Sequence, residues 1–304
     1  MLVPWLLADG HEVTVFDIGW FGDGCMCDNE RLCVIRGDVR DIRGIRDACV
    51  GQDAVIWLAS LSNNSMCVRE PNLHHRINRD AVPSGLFAAR IAGVKRFIYA
   101  SSVAAYGSSD EDAKETQGLA PSTPYGDGKQ FGEHWAKLYN ADDFTTAITR
   151  AASVCGYSVH QRLDLTVNMM VHDACRRGVI KVNGGTQKRC HIHIHDICKA
   201  YRLLLATPAE KIAGQEFNLV AENQSVLETA NIVAEETGAK IEIGPATDDR
   251  SYTVDGTKAR EVFGFAPQRT VRDAVRDLKV RFDAGYWPDA LTNDCYQNIA
   301  HGLV

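Results

Sequence analysis

The sequence predicts an α/β protein with a doubly wound parallel sheet and a smaller C-terminal α/β lobe. Short, nearly unbroken apolar segments alternate with segments of helical periodicity over the first two-thirds of the 304-residue chain. Apolar strands between helices indicate a parallel sheet that is covered on both faces. The alternation loosens after about residue 150. We therefore place a sheet domain at residues 1–155 and a second lobe, interleaved with the end of the sheet, at residues 156–304.

Each predicted element follows from the spacing of its apolar residues and from the glycines and polar residues that end it. Helices are expected at 1–8, 41–49, 78–92, 123–140, 197–206, 226–237 and 271–283. Strands are expected at 12–17, 32–36, 54–59, 96–100, 145–150, 179–182, 191–194, 216–219 and 240–243. This order of elements is typical of a sheet built from strand–helix–strand units.

Composition excludes several classes of protein. Hydrophobic residues make up 45% and charged residues 24%, which rules out a disordered chain, a collagen and a coiled coil. The net charge of −6 argues against a nucleic-acid or anionic-membrane partner, and no apolar run is long enough to span a bilayer. The ten cysteines are scattered, and Cys25 and Cys27 are too close for a C-x-x-C pair. Reduced thiols in a cytoplasmic protein are therefore expected.

Tyr125 and Lys129 stand four residues apart in the predicted helix 123–140, so they share one helical face. The Lys129 ammonium can there lower the pKa of the Tyr125 phenol, which can then act as an acid or base. Ser101 and Ser102 follow an apolar strand, at the edge where open parallel sheets bind ligands. A serine hydroxyl at this edge could hydrogen-bond a substrate oxygen. A solvated helix face and a capping serine are the ordinary alternatives.

Two carboxylates indicate a nucleotide cofactor. Asp17 ends the predicted strand 12–17, and Asp38 follows the strand 32–36. A carboxylate at the first of these places can accept both hydroxyls of an adenosine ribose and would repel a 2′-phosphate, which favours NAD over NADP. Asp38 could accept a hydrogen bond from an adenine amino group. The alternatives are a turn aspartate and a helix N-cap.

Together these motifs resemble the extended short-chain dehydrogenase/reductases, and more narrowly the NAD-dependent epimerase/dehydratase branch that acts on nucleotide sugars. The resemblance runs from Leu2 to about Asp283 and rests on VTVFD, GDVRD, DAVIWLAS, RFIYASSVAAYG, YGDGK, RAASVCG and HIHIHD. It implies a Rossmann-like NAD-binding domain, a mainly substrate-binding C-terminal lobe and a homodimer. The dimer would form through a four-helix bundle of helices 78–92 and 123–140.

The resemblance also implies a role for each matching residue. Tyr125 would be the acid/base that drives hydride transfer between a sugar carbon and the nicotinamide, with Ser102 and Lys129 as its catalytic partners. The implied cofactor contacts are Asp17, Asp38, Val39, Leu58, Ala59, Ser60, Asn78, Tyr125 and Lys129. The implied substrate contacts are Ser102, Ser153, Asn168, Arg189 and Arg250. The two arginines would hold the pyrophosphate, although surface ion pairs explain them equally well.

Departures from the family pattern narrow the reaction. Dehydratases of this branch usually carry Asp or Glu directly after the catalytic hydroxyl, where this chain has Val103 and Ala104. An epimerase or oxidoreductase is therefore expected before a 4,6-dehydratase. Ser153 and Cys155 replace the family's usual Asn and Tyr, so different sugar contacts are expected. Two alternatives stay open, a non-catalytic or cofactor-impaired nucleotide-sugar-binding homologue and an NAD-linked dehydrogenase or keto-reductase of a small carbonyl compound. The sequence specifies neither the sugar nor the carbon attacked.

The beginning of the chain is the largest departure. The family opens with a buried strand and a glycine-rich turn whose amides hold the cofactor pyrophosphate, whereas this sequence begins in the helix that follows. Gly184 and Gly185 lack the spacing to replace that turn. We therefore expect further residues before Met1, a missing strand between those at 12–17 and 54–59, and weak NAD binding by these 304 residues alone.

Three histidines, His191, His193 and His195, alternate along the predicted strand 191–194 and its end, so they would face one side. Imidazoles in this arrangement could bind zinc or copper. The family places a histidine at the middle position for structural reasons, and no cysteine or carboxylate cluster with ligand spacing accompanies the three. No metal site is therefore expected.

Overall fold

The computed structural model describes residues 1–20, 22, 28–109, 111–246, 250–290, 292 and 296. Helices and strands alternate in its first half. The helices are α1 (Leu2–Ala8), α2 (Ile42–Cys49), α3 (Asn64–Arg69), α4 (Pro71–His74), α5 (Ala81–Ile91) and α6 (Pro124–Tyr139). The strands are β1 (Val13–Asp17), β2 (Leu32–Arg36), β3 (Ala54–Trp57), β4 (Arg96–Ser102), β5 (Asp112–Ala113) and β6 (Thr145–Ala151).

The second half mixes short strands with longer helices. Its helices are α7 (Thr166–Arg177), α8 (Ile194–Ala206), α9 (Ala209–Ile212), α10 (Val226–Thr237), α11 (Thr257–Phe263) and α12 (Val271–Asp283). Its strands are β7 (Ser153–Cys155), β8 (Val179–Asn183), β9 (Lys188–His193), β10 (Gln215–Leu219), β11 (Glu222–Ser225), β12 (Lys240–Gly244) and β13 (Thr253–Val254). Strand β10 returns to the sheet of the first half, so the two parts of the chain are interleaved.

The main sheet is parallel and has the strand order β10–β6–β4–β3. Helices cover both faces of this sheet, because the successive side chains of a strand such as β4 point to opposite faces. Phe97 and Tyr99 pack with residues of α5 and α6, whereas Ile98 packs with Tyr201 and Leu204 of α8. The parallel pair β1–β2 forms a second, separate sheet. Within the described residues, β1 pairs only with β2 and β3 only with β4.

The C-terminal lobe has its own apolar core. Helices α7, α10 and α12 pack together around Val171, Val233 and Leu278, all of which are fully buried. The parallel pair β8–β12 and the three-stranded sheet β11–β9–β7 line this core. Among the helices in the described part of the chain, none has both the length and the apolar composition that a membrane crossing requires.

Several predicted boundaries were wrong. Strand β9 ends at His193 and α8 begins at Ile194, because the His193 ring accepts a hydrogen bond from the backbone N–H of His195 and caps the helix. His195 therefore lies on a helix, and the three histidines do not alternate along one strand. Strand β3 ends at Trp57 instead of residue 59. The helix expected at 78–92 is a π-helical turn, His75–Asp80, followed by α5.

The described cysteines are all free thiols. Five are buried and Cys175 is partly buried, whereas Cys33 is exposed. Cys25 and Cys27 lie outside the described residues.

An ion pair in the centre of the protein joins the sheet to α6. Arg150 on β6 and Glu133 on α6 are each 2% exposed, and the guanidinium donates to both carboxylate oxygens at 2.7–3.2 Å. Glu133 also accepts from Ser101 Oγ, and Arg150 donates to the Tyr106 hydroxyl at 2.8 Å. The Tyr106 hydroxyl in turn donates to Asn218 of β10 at 2.9 Å. This network fixes α6 against three strands of the main sheet.

We predict that Glu133→Gln lowers the free energy of unfolding by about 3–5 kcal/mol, because it leaves the buried Arg150 charge without a counter-charge. The matched control is Asp143→Asn, which breaks the exposed Arg90–Asp143 pair at 2.8 Å and is expected to cost less than about 1 kcal/mol. Urea unfolding of both variants measures the difference. Equal effects of the two substitutions would contradict the role given to Glu133.

Candidate active site

Helix α6 carries Tyr125 in its first turn and lies unusually close to the sheet. Thr123 caps the helix by accepting from the Gly126 N–H at 3.1 Å, and Pro124 occupies the first helical position. A Cβ atom on Gly126 would lie 2.4 Å from the Ala104 carbonyl oxygen, and one on Gly132 would lie 2.1 Å from the Tyr99 hydroxyl. Only glycine allows this approach. The side chains of α6 therefore reach the carboxyl end of β4.

Lys129 is buried at that edge, with 4% of its surface exposed. Its Nζ donates to the Ala100 carbonyl oxygen at 2.7 Å and lies 5.6 Å from the centre of the Tyr125 ring. Burial lowers the pKa of Lys129 to about 8, although the Cys67 thiol and the Glu133 carboxylate oppose this change. Lys129 can therefore lose its proton within a moderately alkaline range.

Tyr125 is partly buried and packs on Leu61, Met66, Cys67 and Ile77. Burial raises the pKa of its phenol to about 12, while hydrogen bonding with Ser102 and the positive charge of Arg162 both lower it. The Ser102 hydroxyl thus lies within hydrogen-bonding distance of the Tyr125 hydroxyl. Arg162, which lies on a loop of the C-terminal lobe, was not predicted.

Ser102 ends β4 and begins a short 3₁₀ turn, Val103–Ala105. Its Oγ accepts from the Ala104 N–H at 3.2 Å, so it also caps this turn, as the alternative interpretation expected. The capping contact orients the hydroxyl beside Tyr125. Val103 is buried, and neither Val103 nor Ala104 brings a carboxylate to this place.

The two aspartates predicted for the cofactor lie at the carboxyl ends of β1 and β2. Asp17 is exposed, and its carboxylate accepts from the Gly19 N–H at 2.6 Å. Asp38 accepts from the side chain and the backbone N–H of Arg40, and this guanidinium holds the pKa of Asp38 below its usual range. Val39 is partly buried between two apolar clusters. Asp17 is therefore the more accessible of the two carboxylates.

Asn78 is buried and binds the loop that follows β3. Its Oδ1 accepts from the Leu61 N–H at 2.8 Å and from Ser60 Oγ at 3.1 Å, and its Nδ2 donates to the Leu61 carbonyl oxygen at 3.1 Å. Leu58 is exposed and Ala59 partly buried in the same loop. Asn78 thus holds this loop in place, and the amide reaches it because the π-helical turn directs it there.

The predicted substrate residues divide into two groups. Asn168 on α7 is buried, accepts from the Gly156 N–H at 3.0 Å and donates to the Arg162 carbonyl oxygen at 2.8 Å. Arg189 is also buried, stacks 4.7 Å from the centre of the Tyr252 ring and donates to the carbonyl oxygens of Lys188, at 2.9 Å, and Arg250.

Arg189 is therefore not a surface side chain. Arg250 lies beside Arg189, and Ser153 of β7 is partly buried and pairs with His191 in the register of β7 and β9. The structure thus brings the two arginines together, while Asn168 belongs to the framework of the loop that carries Arg162.

The histidines form a structural cluster. His193 is buried, its ring lies 5.1 Å from that of His195, and its Nε2 is 3.4 Å from an Asp277 carboxylate oxygen. Burial lowers the pKa of His193, and the His195 ring adds to this effect. In the described ranges, no group of three or more histidine, cysteine or acidic residues could hold a metal ion.

Comparison with known proteins agrees with this fold. The model of the NAD dependent epimerase/dehydratase family matches residues 1–219, and the chain belongs to this family. A UDP-glucose 4-epimerase from Lactobacillus helveticus is 28% identical over 298 residues, which cover 89% of each protein. A dTDP-glucose 4,6-dehydratase from Streptomyces niveus is 24% identical over 285 residues, which cover 88% of this chain and 82% of that protein.

Solved structures show the same Rossmann-like architecture. MoeE5 in complex with UDP-glucuronic acid and NAD superposes with a TM-score of 0.82 at 26% identity and covers 93% of this chain and 94% of its own. DesIV, a dTDP-glucose 4,6-dehydratase from Streptomyces venezuelae, superposes with a TM-score of 0.85 at 24% identity, covers 96% of this chain and 95% of its own, and supports the fold alone. The family is NAD-dependent, so the predicted cofactor is confirmed at the level of the family.

The buried ammonium predicts a pH dependence of stability. Because the pKa of Lys129 falls from an ordinary value of 10.5 to about 8 on folding, the unfolded chain binds more protons between these values, and stability attributable to Lys129 rises with pH there. The difference in free energy of unfolding between the wild type and Lys129→Met should therefore shift in favour of the wild type by up to about 3 kcal/mol as the pH rises from 8 to 10.5.

Urea unfolding at several pH values measures this gain. Lys137→Met on the same helix is the control, because Lys137 is exposed and the substitution should leave the pH dependence of the wild type unchanged. A constant difference between the wild type and Lys129→Met would show that the ammonium is not held in a desolvated site.

Proposed function

We propose that the protein is an NAD-dependent nucleotide-sugar epimerase or oxidoreductase that works by Tyr125-assisted hydride transfer at a sugar carbon. The observation that carries this proposal is the convergence of Ser102, Tyr125 and Lys129 at the carboxyl end of β4. Ligands of open parallel sheets bind at this edge. Membership of the family supplies the cofactor class, and the relatives supply the substrate class.

In this mechanism Tyr125 takes the proton from a sugar hydroxyl group while the hydride leaves the carbon atom that carries this hydroxyl group. Ser102 hydrogen-bonds the same oxygen and keeps it against the phenol. Lys129 and Arg162 favour the ionised phenol by their positive charges. When the resulting keto-sugar regains hydride on the opposite face and Tyr125 returns the proton to the oxygen, the product is the epimer; return of hydride to the original face restores the starting sugar. NAD supplies the hydride acceptor and donor when it is bound.

The described residues fit the two ribose groups of NAD. The Asp17 carboxylate is exposed at the carboxyl end of β1, where it can accept both hydroxyls of an adenosine ribose. Lys129 and Tyr125 would meet the nicotinamide ribose. Leu58, Ala59 and Ser60 lie on the loop after β3, and Asn78 holds that loop. Asp38 and Val39 would meet the adenine, although Arg40 already pairs with Asp38.

The lack of an acidic side chain next to Ser102 favours epimerisation over dehydration. A dehydratase needs an acidic group beside the catalytic hydroxyl, and Val103 and Ala104 occupy that place. Two carboxylates of the region are paired, Glu133 with Arg150 and Asp164 with Arg162.

The substrate side of the proposal comprises Ser153, Arg189 and Arg250, the last two for the pyrophosphate. The proposal also includes a homodimer through α5 and α6. The exposed apolar side chains Phe87, Ile91 and Leu138 on these helices support it.

We predict that Tyr125→Phe keeps the fold and lowers turnover at least about 10²-fold, the usual scale of general acid–base catalysis. The assay follows conversion of UDP-glucose in the presence of NAD. Tyr139→Phe, a hydroxyl deletion near the end of the same helix, is the control and should leave turnover unchanged. Turnover near that of the wild type in Tyr125→Phe would refute the role of the phenol.

We predict that NAD binds at least about tenfold more tightly than NADP in a direct titration, because the exposed Asp17 carboxylate repels a 2′-phosphate. Asp17→Asn should narrow this ratio, whereas Asp47→Asn, which changes an exposed carboxylate on α2, should leave it unchanged. A preference for NADP in the wild type would mean that Asp17 is only a turn residue.

A further inference from the structure

A loop of the C-terminal lobe reaches across to the cofactor side of the site. It spans residues 156–165, between β7 and α7. Arg162 on this loop donates from Nε and Nη2 to the two oxygens of Asp164 at 2.9 and 2.8 Å. Its Nη1 donates to Ser62 Oγ at 3.0 Å, a contact between residues 100 positions apart. Asn63 Nδ2 donates to Asp164 at 3.4 Å. The lobe and the loop after β3 are therefore joined by side chains at this point.

The 156–165 loop is held in its conformation from within. Asn168 binds both ends of it, through the Gly156 N–H and the Arg162 carbonyl oxygen. Gln161 is 2% exposed and bonds to Ser158 N, to the Gly156 oxygen and to the Arg162 oxygen. The bidentate contact with Asp164 fixes the guanidinium plane. Arg162 is thus placed by the protein itself before any substrate binds.

We propose that Arg162 is a positioning residue of this active site: fixed by Asp164 and bonded to Ser62, it holds the wall beside Tyr125 and presents a permanent positive charge to the phenol from the 156–165 loop. The inference rests on the proposed role of Tyr125 as acid/base. It assigns a function to a residue of the lobe that the Ser102–Tyr125–Lys129 set does not include.

The wall beside Tyr125 depends on this bridge. Asn63 caps α3 by accepting from the Met66 N–H at 2.8 Å, and Met66 and Cys67 of that helix pack against the Tyr125 ring. Ser62 and Asn63, which precede this helix, are bonded to Arg162 and Asp164 of the 156–165 loop. Loss of Arg162 would therefore free the start of α3 as well as remove a charge.

The charge argument follows from the groups that face Tyr125. These are Tyr99 and Ser102 on β4, Cys67 on α3, Lys129 on α6, Tyr201 on α8 and Arg162 on the lobe loop. Burial raises the pKa of Cys67 to about 11 and that of Tyr201 to about 12, so both are neutral near pH 8. Lys129, with a pKa of about 8, loses its charge as pH rises through that value. Arg162 keeps its charge throughout, because a guanidinium does not deprotonate in proteins.

The test measures phenolate character directly and needs no substrate. Tetranitromethane nitrates tyrosine through its phenolate, so the nitration rate of Tyr125 at pH 8, followed by peptide mass spectrometry on the full-length protein, reports how readily the phenol ionises. We expect Arg162→Gln to lower this rate at least about threefold, since a partly exposed charge is screened but not abolished. Arg162→Lys keeps the positive charge but loses the planar guanidinium that binds Asp164 through two hydrogen bonds, and it should recover part of the nitration rate.

The matched control is Arg202→Gln, which breaks another bidentate Arg–Asp pair, with Asp9, on α8. It should leave the nitration rate of Tyr125 unchanged. If Arg162→Gln does not fold, Arg162→Gln with Asp164→Asn removes both charges together and should show the same fall. An unchanged nitration rate in a folded variant that lacks the Arg162 charge would overturn the proposal.

Activity assays separate this inference from the proposed function. Where the wild type converts a nucleotide sugar, Arg162→Gln should move the limb of the pH–rate profile that reports Tyr125 to higher pH, and Arg162→Lys should move it back. A wild type that converts neither UDP-glucose nor dTDP-glucose would contradict the proposed function. The nitration result would still decide whether Arg162 acts on Tyr125.

Discussion

A buried guanidinium without a carboxylate would not be tolerated in the centre of this fold, so Arg150 dictates where Glu133, and with it α6, must lie. The pair extends through Ser101 to β4 and through Tyr106 and Asn218 to β10. Lys129 stands one helical turn before Glu133, which is why its ammonium meets the Ala100 carbonyl group. The geometry of the site is thus set by a buried network outside the Ser102–Tyr125–Lys129 set.

Burial acts on the two central groups in opposite directions. It raises the pKa of Tyr125 to about 12 and lowers that of Lys129 to about 8, since in each case it penalises the charged form. A desolvated lysine is therefore a weakened partner for a desolvated phenol. A cation that stays charged, placed on a separate part of the chain, compensates for this weakness, and Arg162 occupies that position.

Local periodicity was enough to predict β4, α6 and most of the other elements of the main sheet, but it missed helix α7 and several short helices and strands. Ser102, Tyr125 and Lys129 lie on β4 and α6 or at their ends, and a parallel sheet brings such ends to one edge. Contacts between segments that are far apart in the chain could not be predicted from the sequence. Nothing in the order of residues shows that Arg162 meets Ser62, that Arg189 is buried against Tyr252, or that an Asp277 carboxylate approaches His193. These contacts depend on how the lobe packs on the sheet. The start of α8 was misplaced because a histidine served as its cap.

The π-helical turn His75–Asp80 contains one residue more than an α-helical turn would, and this extra residue sets the direction in which Asn78 points. Each residue of an α-helix rotates the side-chain direction by about 100°. The wider π-helical turn holds one extra residue, and the helix that follows keeps its orientation. Deleting one residue here would let α4 and α5 join as a regular helix, but the part carrying Asn78 would rotate by about 100° relative to α5. The amide would then leave Leu61, and the loop after β3 would lose its attachment. This segment can change the identity of its exposed residues, such as His75 and Arg76, but not its length.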